Sequence, residues 1–326
     1  MYVVSSGHQE SVLSSLDLLK LQTEFLRGLE IKGKTFNTVK NYRTDLNIFN
    51  QYLEANGRSL MLTELTLQQV KEYSSHLEKK YNSPNSIRRR VQALRIFFDW
   101  LIERGLYQEN PVKKALVSPK VVDPPRPLEF KNIFTLFNHL ESLIENSQGL
   151  EKLIHMRNKI IFYLIYGSGL KVSDIEPLSE SSIFPGSPGR VMVAHPKRDP
   201  YTIPLPPGFN QFYIEFKESL EEQKDKDKIN FNNLLFNANP YKILKRGLSS
   251  RGIEVIFKEL SKKLDMPFTA KSLRQSCIIK WLNKNESDSQ VKEWMGVQPA
   301  YSLKAYKQYL EEEDHAKEFS EIGEKI

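Results

Sequence analysis

The chain has 326 residues, with 47 Lys and Arg against 40 Asp and Glu and a formal net charge of +7, which favours a polyanionic partner. Hydrophobic residues make up 40% and aromatic residues 11%, the content of a folded protein of about two domains and not of a disordered one. The longest apolar run, 160–166, is too short to cross a bilayer, the start lacks a secretory signal, and one cysteine with six scattered histidines excludes a disulfide framework and a Cys-based metal cage, so a cytoplasmic protein without a structural metal is expected.

Residues 1–12 carry no periodic pattern and are expected to form a flexible tail. Residues 13–116 read as a helical domain. Leu18, Leu21, Phe25 and Leu29 share one helical face, and Gly33 ends that run. Asn37 or Thr38 can cap a second helix with the core stripe Val39, Tyr42, Leu46, Phe49 and Leu53; its other face carries Lys40 and Arg43. A third helix opens with the capping box Thr66-x-x-Gln69 and buries Val70, Tyr73 and Leu77. A fourth follows Ser83-Pro84, with the stripe Ile87, Val91, Leu94, Phe98 and Leu101 stopped by Gly105. On it Arg88, Arg89 and Arg90 stand in a row with no carboxylate one turn on, so the cluster repels itself unless an anion approaches. A solvated helix face is the plain reading of such a run. Two basic faces in one small helical unit also suit a duplex held between them.

Four prolines within 118–127 make 117–127 an extended linker. Beyond it, helices are expected over 128–144 and 151–166, then a turn at Gly167-Ser168-Gly169, a helix ending in a turn within "SDIEPLSESSIF", and a hairpin from 191–193 and 201–205. Helices return to the end. The fold class is mainly α with one small antiparallel β-sheet. Residues 311–326 hold seven acids against two lysines and suit a basic protein surface better than DNA.

Four stations stand out in 128–310: "GSGLKVSDIEPL" with Lys171, "AHPKRDPYTIPLP" with Lys197 and Arg198, "TAKSLRQS" with Lys271 and Arg274, and "EWMGVQPAYSLKAYKQYL" with Tyr306. Alone, Tyr306 is an ordinary helix-face aromatic. In this order and spacing the stations resemble the tyrosine recombinase (phage integrase) family, Xer-like members above all. The resemblance extends to "NTVKNYRTDLNIFNQYL" and "SIRRRVQALRIFFDWLIERGLYQENPV", which look like the DNA-straddling helices of that family's core-binding, SAM-like domain.

The resemblance implies strand cleavage by a tyrosine that forms a 3′-phosphotyrosyl bond and frees a 5′-hydroxyl, with no metal or nucleotide cofactor. Fixed cations are needed around the phosphoryl oxygens, and the departing oxygen needs a proton. By position, Tyr306 is the implied nucleophile, nine residues past Val297. Arg274 and Lys271 match the family's H-x-x-R, where lysine is tolerated first. Lys197 falls on the general acid of the hairpin, though Arg198 can share the place in a turn one residue short. Two positions depart from the pattern. Lys171 stands for an arginine and loses its bidentate fork, and Val297 stands for a histidine or tryptophan and cannot donate. The implied function is site-specific DNA recombination on double-stranded DNA, by self-assembly or with a paired recombinase. The alternative is a catalytically impaired DNA-binding protein with an architectural or regulatory role. A protein-binding helical scaffold, a third class, leaves the basic faces and four aligned stations without a purpose.

Overall fold

Asp17 starts the first helix of the computed structural model, its Oδ1 accepting from the N–H groups of Leu19 (2.8 Å) and Lys20 (3.0 Å). The structure describes residues 16–115, 124–195, 198–238 and 244–312; the tail at 1–12, most of the linker, Lys197 and the acidic stretch past Glu312 lie outside the described residues. Two units result, Met1–Asp123 and Pro124–Ile326.

In the first unit α1 (Leu18–Ile31) buries Leu18, Leu21, Phe25 and Leu29 and is followed by Gly33 at φ 71°, a conformation that costs glycine nothing. α2 (Phe36–Ala55) is capped by Thr35, not by Asn37 or Thr38: Thr35 is extended and its hydroxyl accepts from the Thr38 N–H at 3.3 Å, so the cap falls two or three residues earlier than the sequence suggests. α3 (Leu67–Lys80) carries both halves of the Thr66/Gln69 box. α4 (Pro84–Glu103) has Pro84 at its first position, where the missing N–H is harmless, and α5 (Pro111–Ala115) follows. Phe25 meets Phe97 and Trp100 edge-on, with ring centroids 5.5 and 5.8 Å apart, and is fully buried, so truncating it to alanine should cost about 3–5 kcal/mol. A buried reciprocal amide pair, Gln22 and Asn50 at 2.8 and 2.9 Å, fixes α1 against α2.

The second unit is built from α6 (Phe130–Glu145) and α7 (Gly149–Phe162), which pack on each other. α7 runs into a fully buried π-helical turn, Tyr163–Gly167. The helix expected in "SDIEPLSESSIF" is shorter: α8 is only Val172–Ile175. Pro177 has no N–H to continue the ladder, and the chain passes through a 3₁₀ turn into strand β1 (Ile183–Phe184). β2 (Arg190–His195) and β3 (Arg198–Pro204) form the expected hairpin, with Val191 opposite Ile203 and Val193 opposite Tyr201, and β1 adds an antiparallel edge. α9 (Phe209–Asp227) follows. A second small hairpin, β4 (Phe236–Ala238) with β5 (Leu244–Arg246), was not foreseen, because three-residue strands leave no periodic signal. α10 (Ser250–Lys263), α11 (Ala270–Asn283), α12 (Asp288–Met295) and α13 (Lys304–Glu311) complete the unit; α11 packs on the π-helical turn and α13 packs on α11.

Candidate active site and DNA-facing residues

Local capping places the first cation. Lys171 stands at the N-cap of α8, where its N–H donates to the Oδ2 of Asp174 at 3.3 Å, and buried Asp174 thereby holds the loop. Across from it the Ser250 hydroxyl donates to the Val172 carbonyl (3.2 Å) and to Glu176 (2.6 Å), pinning the start of α10 on α8. Thr269 and Ser272 form a reciprocal cap that starts α11, with exposed Lys271 in its first turn and Arg274 one turn on.

Among the described residues no carboxylate pairs with Arg274. Its Nε donates to the Gly169 carbonyl at 2.6 Å and its Nη2 to the Met295 carbonyl at 2.9 Å. Gly169 is at φ 64°, and a Cβ there would lie 2.5 Å from the Trp281 ring, so only glycine brings this carbonyl so close to α11. A cavity of about 680 Å³ has Lys171, Lys258, Lys271 and Arg274 on its wall over an apolar floor of Phe257 and Phe268. The structure therefore brings three of the five expected catalytic residues to one concave surface.

Tyr306 lies on α13, buried, in the field of Arg274. Gln275 and Tyr301 are the polar side chains beside its hydroxyl. Burial raises the phenol above its ordinary range and Tyr301 adds to this, while Arg274 and Gln275 pull it down without reversing it. Gln275 was missed by sequence reasoning, although it directly follows Arg274. Its Oε1 accepts from the Arg126 N–H at 3.1 Å, which turns its NH₂ toward other partners. Tyr309 is half-buried against the apolar core. Val297 is also half-buried there, Trp294 packs on Trp281 at 5.1 Å, and neither Trp294 nor Gln298 lines the cavity. Lys197 lies outside the described residues.

In the first unit Arg88, Arg89 and Lys40 are exposed, and Arg43 is 4.0 Å from Glu30. The inference that the arginine row lacks a carboxylate fails. Asp45, buried on α2, lies 2.9 Å from Arg89 Nη2 and 4.0 Å from Arg90 Nε. Arg90 is mostly buried: its guanidinium lies 3.7 Å over the Tyr81 ring and donates to the Ser86 carbonyl at 2.7 Å. Packing thus divides the row into two exposed cations and one structural one. A groove of about 360 Å³ runs between α2 and α4, bordered by Asn41, Arg88, Arg89 and Gln92 with Asp45 in its floor.

The profile of the phage integrase N-terminal SAM-like domain matches residues 23–105. The tyrosine recombinase XerD of Halalkalibacterium halodurans is 26% identical over 270 residues, which cover 81% of this chain and 84% of that protein. The XerC of Roseiflexus castenholzii is 31% identical over 162 residues, 49% of this chain and 48% of that one. In fold, the chain is similar to a lambda integrase dimer bound to a COC′ core site, at TM-score 0.64 and 17% identity over 94% of this chain and 81% of that one. Over most of its length the chain is similar to tyrosine recombinases of the Xer type. That likeness makes the two departures informative. Lys171, expected in place of an arginine, is on the cavity wall. Val297 packs against the core.

Proposed function

We propose that this protein is a site-specific DNA recombinase that cleaves and rejoins double-stranded DNA through a 3′-phosphotyrosyl bond to Tyr306. The observation that carries the reading is the convergence of Lys171, Lys271 and Arg274 on one cavity, with Tyr306 in the field of Arg274. The Tyr306 oxygen attacks the phosphorus, its proton leaves as the bond forms, and the bond to the 5′-oxygen breaks as that oxygen takes a proton from Lys197. Arg274, Lys171 and Lys271 hold the non-bridging oxygens while charge builds on them. Arg88, Arg89, Lys40 and Arg43 neutralise phosphates along the duplex. Arg90 supports them by fixing the helix that carries the first two.

The similar lambda integrase structures are a dimer on a core site and a tetramer on a Holliday junction, which supports assembly of several protomers, or of a paired recombinase, on DNA. A cytoplasmic location, beside the DNA, fits this reading; no helix among the described residues is long and apolar enough to cross a membrane. The relatives are named as recombinases, so an architectural role without cleavage is not favoured. The test is incubation with a nicked suicide duplex carrying the cognate site, followed by a denaturing gel. A covalent protein–DNA band is expected. Sound, site-specific binding without that band would overturn the reading.

A further inference from the structure

Lys280 is buried, and among the described residues no carboxylate pairs with it. Its Nζ donates to the Tyr166 carbonyl at 3.3 Å and stands 4.2 Å over the Tyr166 ring. A buried amine without a counter-charge is an expensive way to fill space, and a leucine or methionine would pack there at less cost. Its contacts show what the amine provides. The N–H groups of Ser168, Gly169 and Leu170 turn back to Tyr163, Ile165 and Leu164, leaving the carbonyls of Tyr166 and Gly167 without a backbone donor. The face of α11 supplies donors in order: Lys280 to the Tyr166 carbonyl, the Cys277 thiol to the Gly167 carbonyl at 3.7 Å, and Arg274 to the Gly169 carbonyl. The three side chains lie three residues apart, so one helix face reads along one turn of chain. Two residues past Gly169 stands Lys171.

We propose that Lys280 is a positioning residue for the phosphate grip. By holding the Tyr166 carbonyl it fixes the turn that orients Arg274 through Gly169 and aims Lys171 at the cavity. π-Helical turns recur at functional sites because they leave carbonyls free for such use. The kinetic arm of the test rests on the recombinase reading; the spectroscopic arm does not.

The experiment uses the full chain with Lys280→Met and Lys280→Arg, each alone and combined with Lys171→Ala. Half-site affinity, single-turnover cleavage of the suicide duplex, and solvent protection of the Arg274 Nε–H in ¹⁵N spectra, assigned with Arg274→Lys, are measured. For Lys280→Met we expect affinity within about twofold of the starting protein, cleavage down about tenfold or more, and loss of Arg274 Nε–H protection. Lys280→Arg should recover part of the rate. In the Lys171→Ala background the Lys280→Met loss should shrink, because both changes disable the same arm. Equal fold-losses in both backgrounds, or an Arg274 signal that keeps its protection, would overturn the inference. If no version cleaves DNA while Lys280→Met still exposes the Arg274 Nε–H, the recombinase reading falls and the positioning role stands. If Lys280→Met does not fold, Lys280→Gln, too short to reach the carbonyl, takes its place with the same outcomes.

Discussion

The two basic regions of this protein hold their cations in opposite ways. On α4 Arg89 is paired from below with a carboxylate, Asp45, and presents its outer face to solvent. Around the cavity Arg274 is gripped by two carbonyl oxygens and, among the described residues, by no carboxylate. A carbonyl orients a guanidinium while leaving its full charge for a phosphate, whereas a carboxylate orients it and cancels much of that charge. The first arrangement suits reversible binding, where partial neutralisation keeps a crowded arginine row tolerable. The second suits chemistry, where a developing negative charge must meet an undiminished cation.

The sharpest break of this contrast is at the nucleophile. Tyr306→Phe should remove covalent product entirely while half-site binding survives, and Tyr309→Phe should leave both intact. Tyr301→Phe should keep the product and move the alkaline limb of the pH–rate profile to lower pH, because Tyr301 raises the Tyr306 phenol. Covalent product in Tyr306→Phe, or an upward shift in Tyr301→Phe, would contradict the assignments. Next in size, Arg274→Ala should slow cleavage by about 10²–10³-fold with little change in affinity, the mark of a group used in the transition state. A proportionate loss of binding would make Arg274 a docking residue like those of α4.

A smaller effect is expected at Lys171→Arg, which restores a bidentate fork and should raise single-turnover cleavage by up to about tenfold. A slower rate would show that the cavity has been shaped around lysine. On the binding side, Arg88→Ala with Arg89→Ala should lower affinity and flatten the logarithmic salt dependence by about 1.8. Arg90→Ala should instead lower thermal stability and leave the salt slope nearly as it was. Identical salt slopes for both variants would erase the division within the row. The smallest change is Asp45→Asn. Burial outweighs Arg89 and Arg90 in raising its carboxyl, so this acid favours the folded state at low pH and that contribution is lost as pH rises through the folded value. Near neutral pH the amide should therefore leave the melting temperature equal or higher, and DNA affinity should rise slightly as Arg89 loses its counter-charge; a clear drop in melting temperature would count against this.

What the sequence made legible was local. The Thr66/Gln69 box, the apolar stripes of α1 to α4 and the β2–β3 hairpin depend on neighbours a few residues apart, and they stand where expected. The order of the four stations gave the family. Illegible were pairings across the fold: Asp45 under Arg89, Gln275 beside Tyr306, and the carbonyls of 166–169 against α11. No spacing rule joins residues brought together by packing. The shortened α8 was a local error, since Pro177 was in plain view.

Cys277 is the only cysteine in the chain, and it is sealed in the core on the Gly167 carbonyl, with burial pushing its thiol up to about 11. Thiolate, the form that reacts with alkylating reagents, is therefore scarce, and what there is has no path to solvent. The native surface is consequently blank to thiol chemistry. A single cysteine introduced on the exposed side of α4 and another on α10 would take fluorophores without any native residue being removed, so the movement of the two units on DNA can be followed by energy transfer in an otherwise unaltered protein. The same silence has a second use: slow labelling of Cys277 itself would time the moments when α11 lifts from the turn beneath it.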